Sequence, residues 1–461
     1  MREERDLFKL RKNFNFKQYS NKWQDSNMDL KWVGETIGCA CEDHLITGFA
    51  FDSREVEPGC LFFALRGNKF DGHDFIGEVG KKGAVAAVVE KSYQGETGGM
   101  VLLRVDDVVA ALQKLAMEVQ KSRKQRIIAV TGSLGKTTTK EFISILLSKK
   151  YSVAKTPGNS NSQVGLPLAI LRASGQEEIF IVEMGMTEPG QIQKLTEIAP
   201  PEIAVITKIG YVHVDTVPNG IDGVAQAKAE ILAPPTVKTA IIERDAYAFP
   251  VIQNTGSCEK VTYGMRDADM ILEPGWCLNY KGDISPHFRL PFTETHFCEN
   301  FAGAATVARV MGMTWDEILK AAWELKSIPC RFEKIDRGGV TIVNDSYNAS
   351  PESMKAALDN LPKPSFGAKT IVVFGEITTL GKYSEEGHKQ VGEYVMAKAD
   401  HLLCIGKRAL PMVEMFNSVG KPAEFFSDLQ HLKTTLFEVC KPGDVVLLKG
   451  SNGNKLWQLL D

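Results

Sequence analysis

Three features of the sequence predict an α/β protein built from three units. Its 461 residues are about three times the length of a common domain of ~150 residues. Apolar runs alternate with amphipathic stretches along most of the chain, the pattern of parallel strands covered by helices. At Ile127-Ile128-Ala129-Val130-Thr131-Gly132-Ser133-Leu134-Gly135-Lys136-Thr137-Thr138 an apolar run, a glycine turn and a helical pattern follow one another directly. That order aims backbone N–H groups and a helix N-terminus at a polyphosphate. We expect a 1–27 tail, a first α/β unit over 28–124, a central P-loop unit with a parallel sheet over 125–330, and a Rossmann-like α/β unit over 331–461.

Residues 1–27 mix charge and scattered aromatics without a period, which predicts a flexible tail. In the first unit, the run at 83–89 predicts a strand and 108–119 an amphipathic helix. The polar stretch 120–125 then reads as a linker. Phe51-Asp52-Ser53-Arg54 and Phe70-Asp71-Gly72-His73-Asp74 are polar turns beside apolar runs, which suit either a small-molecule pocket or turn chemistry alone.

The central unit opens with the P-loop. Gly132 and Gly135 permit the tight turn, Lys136 reaches toward β/γ-phosphates, and the Thr137 hydroxyl is placed to hold Mg²⁺. Ser133 and Thr138 complete the cradle. Val130 occupies the position where the general pattern has its first glycine. Strands are expected at 179–184 and 203–207, helices at 188–198 and 224–232. Glu183 leaves the carboxyl end of its strand next to the P-loop, where a carboxylate can hold Mg²⁺ directly or through water. His213 lies in a loop, either near metal or phosphate or simply solvated. Lys228 flanks the buried face of its helical pattern, and spacing alone makes it a surface lysine with a buried stem.

In the third unit, strands are expected at 340–344, 370–374, 401–405 and 445–449. Three polar loops follow strands there, at Asn344-Asp345-Ser346-Tyr347-Asn348-Ala349-Ser350, Gly375-Glu376-Ile377-Thr378-Thr379 and Lys449-Gly450-Ser451-Asn452. Together they could form one wall of a binding site.

The composition is that of a soluble globular chain: 44% hydrophobic, 24% charged, net charge −3. That charge gives no reason to expect a nucleic-acid partner. No apolar run reaches the ~20 residues of a membrane span. The nine cysteines are scattered without a Cys-x-x-Cys pair, as suits buried thiols in a reducing compartment. A cytoplasmic monomer is expected.

The order of these motifs resembles the Mur ligases of peptidoglycan synthesis, from about residue 28 to the end. Thr131-Gly132-Ser133-Leu134-Gly135-Lys136-Thr137-Thr138 is similar to the family P-loop, and Gly158-Asn159-Ser160-Asn161 to a segment that follows it. The resemblance implies a uridine-nucleotide domain with Ser53, Arg54, Asp71 and His73 among its substrate contacts. It places Glu183 and His213 at Mg²⁺ with Thr137, and Lys228 as a carbamylated lysine in the same metal site. Asn300 falls at the adenine contact, with Arg331 and Asp345 near ATP. Asn159, Asn161, Tyr347, Asn348 and Ser350 fall among substrate contacts. The run from Asp345 to Pro351 favours the branch of the family that adds a dipeptide, because an amino-acid-adding member would show Asp-Tyr-Ala-His there.

The implied reaction is ATP-dependent. ATP phosphorylates the terminal carboxylate of UDP-MurNAc-tripeptide, and the amine of D-alanyl-D-alanine then captures the acyl phosphate. An amino-acid-adding or folylpolyglutamate-type ligase, and a P-loop switch or motor ATPase, remain alternatives. Ser162, Phe297, Thr379 and Asn452 depart from the family pattern.

Overall fold

The computed structural model describes residues 28–67, 70–214 and 216–461; the tail expected over 1–27 lies outside them. The first unit holds a four-stranded parallel sheet in the order Gly48–Ala50, Cys60–Phe63, Ala86–Glu90, Val101–Val105. Leu61, Phe62, Phe63, Ala86 and Val88 have no exposed surface, which is why these strands are apolar on both faces. The strand expected at 83–89 begins at Ala86.

The helix Val108–Ser122 starts at Asp107, whose carboxylate accepts from the N–H groups of Val109 and Ala110. It overruns the stretch read as a linker. Gln120 is buried, and Arg123 donates to the carbonyls of Ile170 and Ala173, both at 2.7 Å. These are carbonyls at the C-terminal end of the helix Gly165–Arg172, where intrahelical partners run out. The polar run therefore joins the first unit to the central one through fixed contacts and is not a loose connection.

The central unit is a nine-stranded sheet in the order Asp283–Ile284, Cys277–Tyr280, Met270–Glu273, Glu259–Gly264, Thr239–Glu243, Ile203–Ile206, Arg126–Thr131, Ile179–Glu183, Val153–Lys155. The strands from Met270–Glu273 to Val153–Lys155 run parallel, and the two at the far edge are antiparallel additions. In register, Val130 stands opposite Glu183 and Thr131 opposite Ile206. Three strand ends thus meet at one level, and the P-loop starts there.

The helix Thr295–Val310 packs against the P-loop helix Lys136–Leu147. Its buried residues Ala302, Gly303, Ala304, Ala305 and Ala308 are small, so backbones approach closely. The third unit is a six-stranded sheet in the order Glu333–Arg337, Val340–Asn344, Val445–Lys449, Thr370–Gly375, His401–Ile405, Ala423–Phe426. Only the first of these is antiparallel to its neighbour. All four expected strands are present. Of the loops that follow them, the one after Val340–Asn344 faces the P-loop across a cavity, as does Lys449 at the end of its strand, and Tyr211 N–H donates to Glu352 Oε1 at 2.9 Å between the central and third units.

A methyl group at Gly303 would lie 2.7 Å from the ring of buried Tyr263. Helix propensity favours alanine over glycine by about 1 kcal/mol, but overpacking against a fixed ring costs roughly 1–3 kcal/mol. Gly303→Ala should lower the thermal unfolding temperature, and a higher one would show that the ring gives way.

Candidate active site

Gly135 precedes the P-loop helix with φ +84°, and a Cβ there would lie 2.5 Å from Asn300 Oδ1. Gly132, with φ +143°, would set a Cβ 2.0 Å from Thr207 Oγ1. Neither position admits a side chain. Lys136 curls back over its own loop and donates to the carbonyls of Gly132 at 2.8 Å and Ser133 at 3.2 Å. Burial lowers its pKa and nearby Arg331 adds to this, against the opposing pull of Glu183.

Glu183, 1% exposed, is the hub. Its Oε2 accepts from the Thr137 hydroxyl at 2.7 Å and its Oε1 from the Asn161 amide at 2.7 Å. Burial pushes its carboxyl pKa up, but Lys140, Lys136 and Arg331 outweigh burial and hold it below the usual carboxylate range. Glu183 is therefore an anion.

Lys228 corrects the reading from spacing. It is 3% exposed, on the helix Gly220–Ala229. The helical pattern placed it beside the buried face, and in the structure it lines a cavity with little exposed surface. Burial, and then the charge of Lys136, push its pKa well below the ordinary lysine value. His213 adopts left-handed backbone, φ +62°, and its carbonyl accepts from Thr216.

Arg331, the first residue assigned to the third unit, donates to Thr137 Oγ1 at 2.9 Å and lies 4.0 Å over the ring of Tyr347. Cys330 and Phe332 on either side of it have φ of +59° and +52°. Asp345 fixes this corner. Its Oδ1 accepts from the Phe332 N–H at 3.1 Å, and its Oδ2 from buried Lys449 at 2.6 Å. Ser350 and Ser353 form a capping box that starts the helix Pro351–Asp359.

These residues surround one cavity of about 580 Å³. Gly132, Ser133, Gly135, Lys136, Thr137 and Thr138 line it from the P-loop. Asn159, Asn161, Glu183, His213, Lys228 and Asn300 line it from the rest of the central unit, and Arg331, Asp345, Tyr347, Asn348 and Ser350 from the third. Ser53, Arg54, Asp71 and His73 do not line it. Arg54 pairs with Asp52 at 2.7 Å, and the Ser53 carbonyl accepts from Lys82. His73 uses both ring nitrogens internally: Nδ1 lies 2.6 Å from Asp71, and Nε2 accepts from the Glu90 N–H at 3.0 Å. In the first unit these residues hold turns together.

The cavity also contains residues that the sequence reading did not single out. His296 lines it, and its Nδ1 is buried without a hydrogen-bond partner. Burial drives its pKa down to about 4, so the ring is neutral. Such an orphan costs ~1–3 kcal/mol and would be relieved by a ligand's hydrogen bond. Glu352 and Lys449 line the cavity as well. Strand-end position is the one sequence signal that marks Lys449, and nothing in the sequence marks Glu352. Among the described residues no group of three or more His, Cys, Asp or Glu could hold a metal ion.

A P-loop whose threonine is gripped by an arginine from a second α/β unit defines a nucleotide-dependent enzyme with its site between domains. Residues 45–130, 130–308 and 330–452 match the models of the Mur ligase family catalytic domain, the Mur ligase middle domain and the Mur ligase glutamate ligase domain. The chain belongs to the Mur ligase family. It is 33% identical over 435 residues to the UDP-N-acetylmuramoyl-tripeptide--D-alanyl-D-alanine ligase of Bacillus subtilis, covering 91% of this chain and 93% of that protein. The Escherichia coli ligase of the same name is 30% identical, with 87% and 90% covered. Among solved structures, MurF from Thermotoga maritima in complex with ADP superposes with a TM-score of 0.73 at 30% identity, covering 90% of this chain and 96% of that one. MurF from Acinetobacter baumannii gives 0.80 at 26%, covering 94% and 98%.

Lys136→Ala should lower kcat for nucleotide-dependent turnover by about 10²-fold or more, the scale of losing a preorganised donor at a transferring group. The check is steady-state phosphate release at saturating ATP. A rate within a few-fold of the parent would remove the P-loop from the chemistry.

Proposed function

We propose that this chain is a cytoplasmic ligase that uses ATP to join D-alanyl-D-alanine to UDP-MurNAc-tripeptide, forming UDP-MurNAc-pentapeptide, ADP and phosphate. The observation that carries this reading is the 2.9 Å contact from Arg331 to Thr137. It brings the Asp345-to-Ser350 loop of the third unit against the phosphate site, where a reaction between two bound substrates needs it. A switch ATPase has no need of such a wall.

The γ-phosphoryl group passes to the tripeptide carboxylate, and the dipeptide amine attacks the acyl carbon and expels phosphate. Lys136 and the P-loop N–H groups neutralise charge on the transferring oxygens. Arg331 supplies a second cation from the opposite wall. Asn300 and the neutral, unpartnered His296 bind the base. Tyr347, Asn348 and Ser350 orient the peptide substrates, and closing the third unit over the site excludes water from the acyl phosphate.

The donor set fits Mg²⁺ in part. Glu183 is held anionic with the Thr137 hydroxyl 2.7 Å away, oxygen donors of the kind Mg²⁺ takes. Mg²⁺ would offset repulsion between the carboxylate and the phosphate. A protonated Lys228 would oppose it. The burial that favours the neutral amine also lets that nitrogen add to the carbon of CO₂ and lose a proton, giving a carbamate oxygen donor. His213 completes the proposed metal site.

Phosphate release should require ATP, UDP-MurNAc-tripeptide and D-alanyl-D-alanine together. Rapid release with ATP alone would identify a switch or motor ATPase, and release with a single amino acid an amino-acid-adding ligase. Lys228→Ala should lose most activity while keeping its circular-dichroism spectrum, with partial recovery in acetate. Near-parental activity in Lys228→Arg would exclude the carbamate.

A further inference from the structure

Lys140 lies four residues after Lys136 on the P-loop helix, so the two side chains leave neighbouring positions one turn apart. It has no exposed surface and is among the largest fully buried side chains of the protein. It does not line the nucleotide cavity. Its Nζ donates to the carbonyls of Thr156 and Gly158, each at 2.7 Å, and lies 3.3 Å from Glu141 Oε1. Burying an ammonium group is costly unless its protons are well used. Here two of them are spent on one short segment, which carries the link between them and the reaction.

The segment 156–161 meets Glu183 at both ends. Thr156 Oγ1 accepts from the Glu183 N–H at 3.1 Å, and the Asn161 amide donates to Glu183 Oε1 at 2.7 Å. The Gly185 N–H also donates to the Asn161 carbonyl at 2.8 Å. Between these ends the bonds are local, Ser160 to Pro157 and Asn161 to Asn159, and Gly158 turns at φ +51°. Lys140 is what ties the middle of the loop to the P-loop helix. A neutral side chain of similar length could not satisfy two carbonyls and face Glu141 at once, whereas an ammonium group has three donors.

We infer that Lys140 is a positioning residue: by gripping the carbonyls of Thr156 and Gly158 it holds Asn161 against Glu183, and so aims the free edge of that carboxylate at a divalent cation beside Thr137. This rests on the metal site proposed above. Loss of Lys140 would free the loop, release Asn161 and let Glu183 turn, without touching the P-loop groups that hold phosphate.

The test is calorimetric titration of the full chain with ADP, in Mg²⁺ and in EDTA, for the parent, Lys140→Met, Asn161→Ala and the double variant. Outer partners of metal ligands commonly set metal affinity by about 10–100-fold. Each single variant should lose about tenfold of the gain in ADP affinity that Mg²⁺ gives, while the affinity of Lys140→Met in EDTA stays within about twofold of the parent. Residues acting through one link are non-additive, so the double variant should be no worse than either single one. Equal weakening with and without Mg²⁺, additive losses, or a full Mg²⁺ gain in Asn161→Ala would overturn the inference. Should Lys140→Met not fold, Lys140→Gln, which keeps an amide NH₂ but no charge, takes its place; unfolding of both would assign Lys140 to the core alone. Because the readout is ADP binding, a parent protein that binds Mg-ADP but does not ligate would sink the proposed reaction and leave this inference standing.

Discussion

Glu183 is the point on which the structure turns. A carboxylate with almost no exposure survives as an anion only if cations and hydrogen-bond donors surround it, and removing one partner of such a buried group costs about 3–5 kcal/mol. Its hydrogen-bond donors and nearby charges come from distant parts of the chain: Thr137 from the P-loop helix and Asn161 from the next loop by hydrogen bonds, Arg331 from the start of the third unit by its charge. Keeping Glu183 ionised therefore requires that these segments meet. The fold that permits it is the parallel sheet, whose register sets Val130 beside Glu183 and brings the two strand ends level.

The same grouping explains the electrostatics of the cavity. Lys136, Lys140, Lys228 and Arg331 cluster around a single buried carboxylate. Burial depresses the pKa of both Lys136 and Lys228, and a neighbouring cation adds to it, Arg331 for Lys136 and Lys136 for Lys228. A polyphosphate entering the cavity meets charges already in place, with little reorganisation left to do. The third unit contributes one of these cations on a backbone corner that Asp345 and Lys449 lock from behind.

The sequence made visible what is local. The P-loop, its helix and the four expected strands of the third unit depend on short-range pattern, and the structure has them. Lys228 did not follow from spacing, because the covering of one helix flank is decided by loops far away in the chain. Lys140 has the look of an ordinary helix lysine, since a four-residue interval from Lys136 does not reveal which flank a neighbouring loop will cover. Arg331 entered through family resemblance alone, as no periodicity marks a residue between two domains. The strands within Met270–Ile284 were too short and mixed in character to read. His73 and Asp71 cap a turn, and because capping a turn and binding a ligand use the same side chains, the sequence does not tell the two uses apart.

The ends of the nine-stranded sheet bear on how the protein keeps to itself. One edge is the three-residue strand Val153–Lys155 and the other the two-residue strand Asp283–Ile284. An open sheet this wide would ordinarily present long rows of unpaired peptide groups, on which a second chain could add a strand. Here the rows are cut to a few groups, and charged side chains stand in both. The breadth that seats a phosphate loop on an inner strand of the sheet is thus reached without leaving a template for aggregation at its margins.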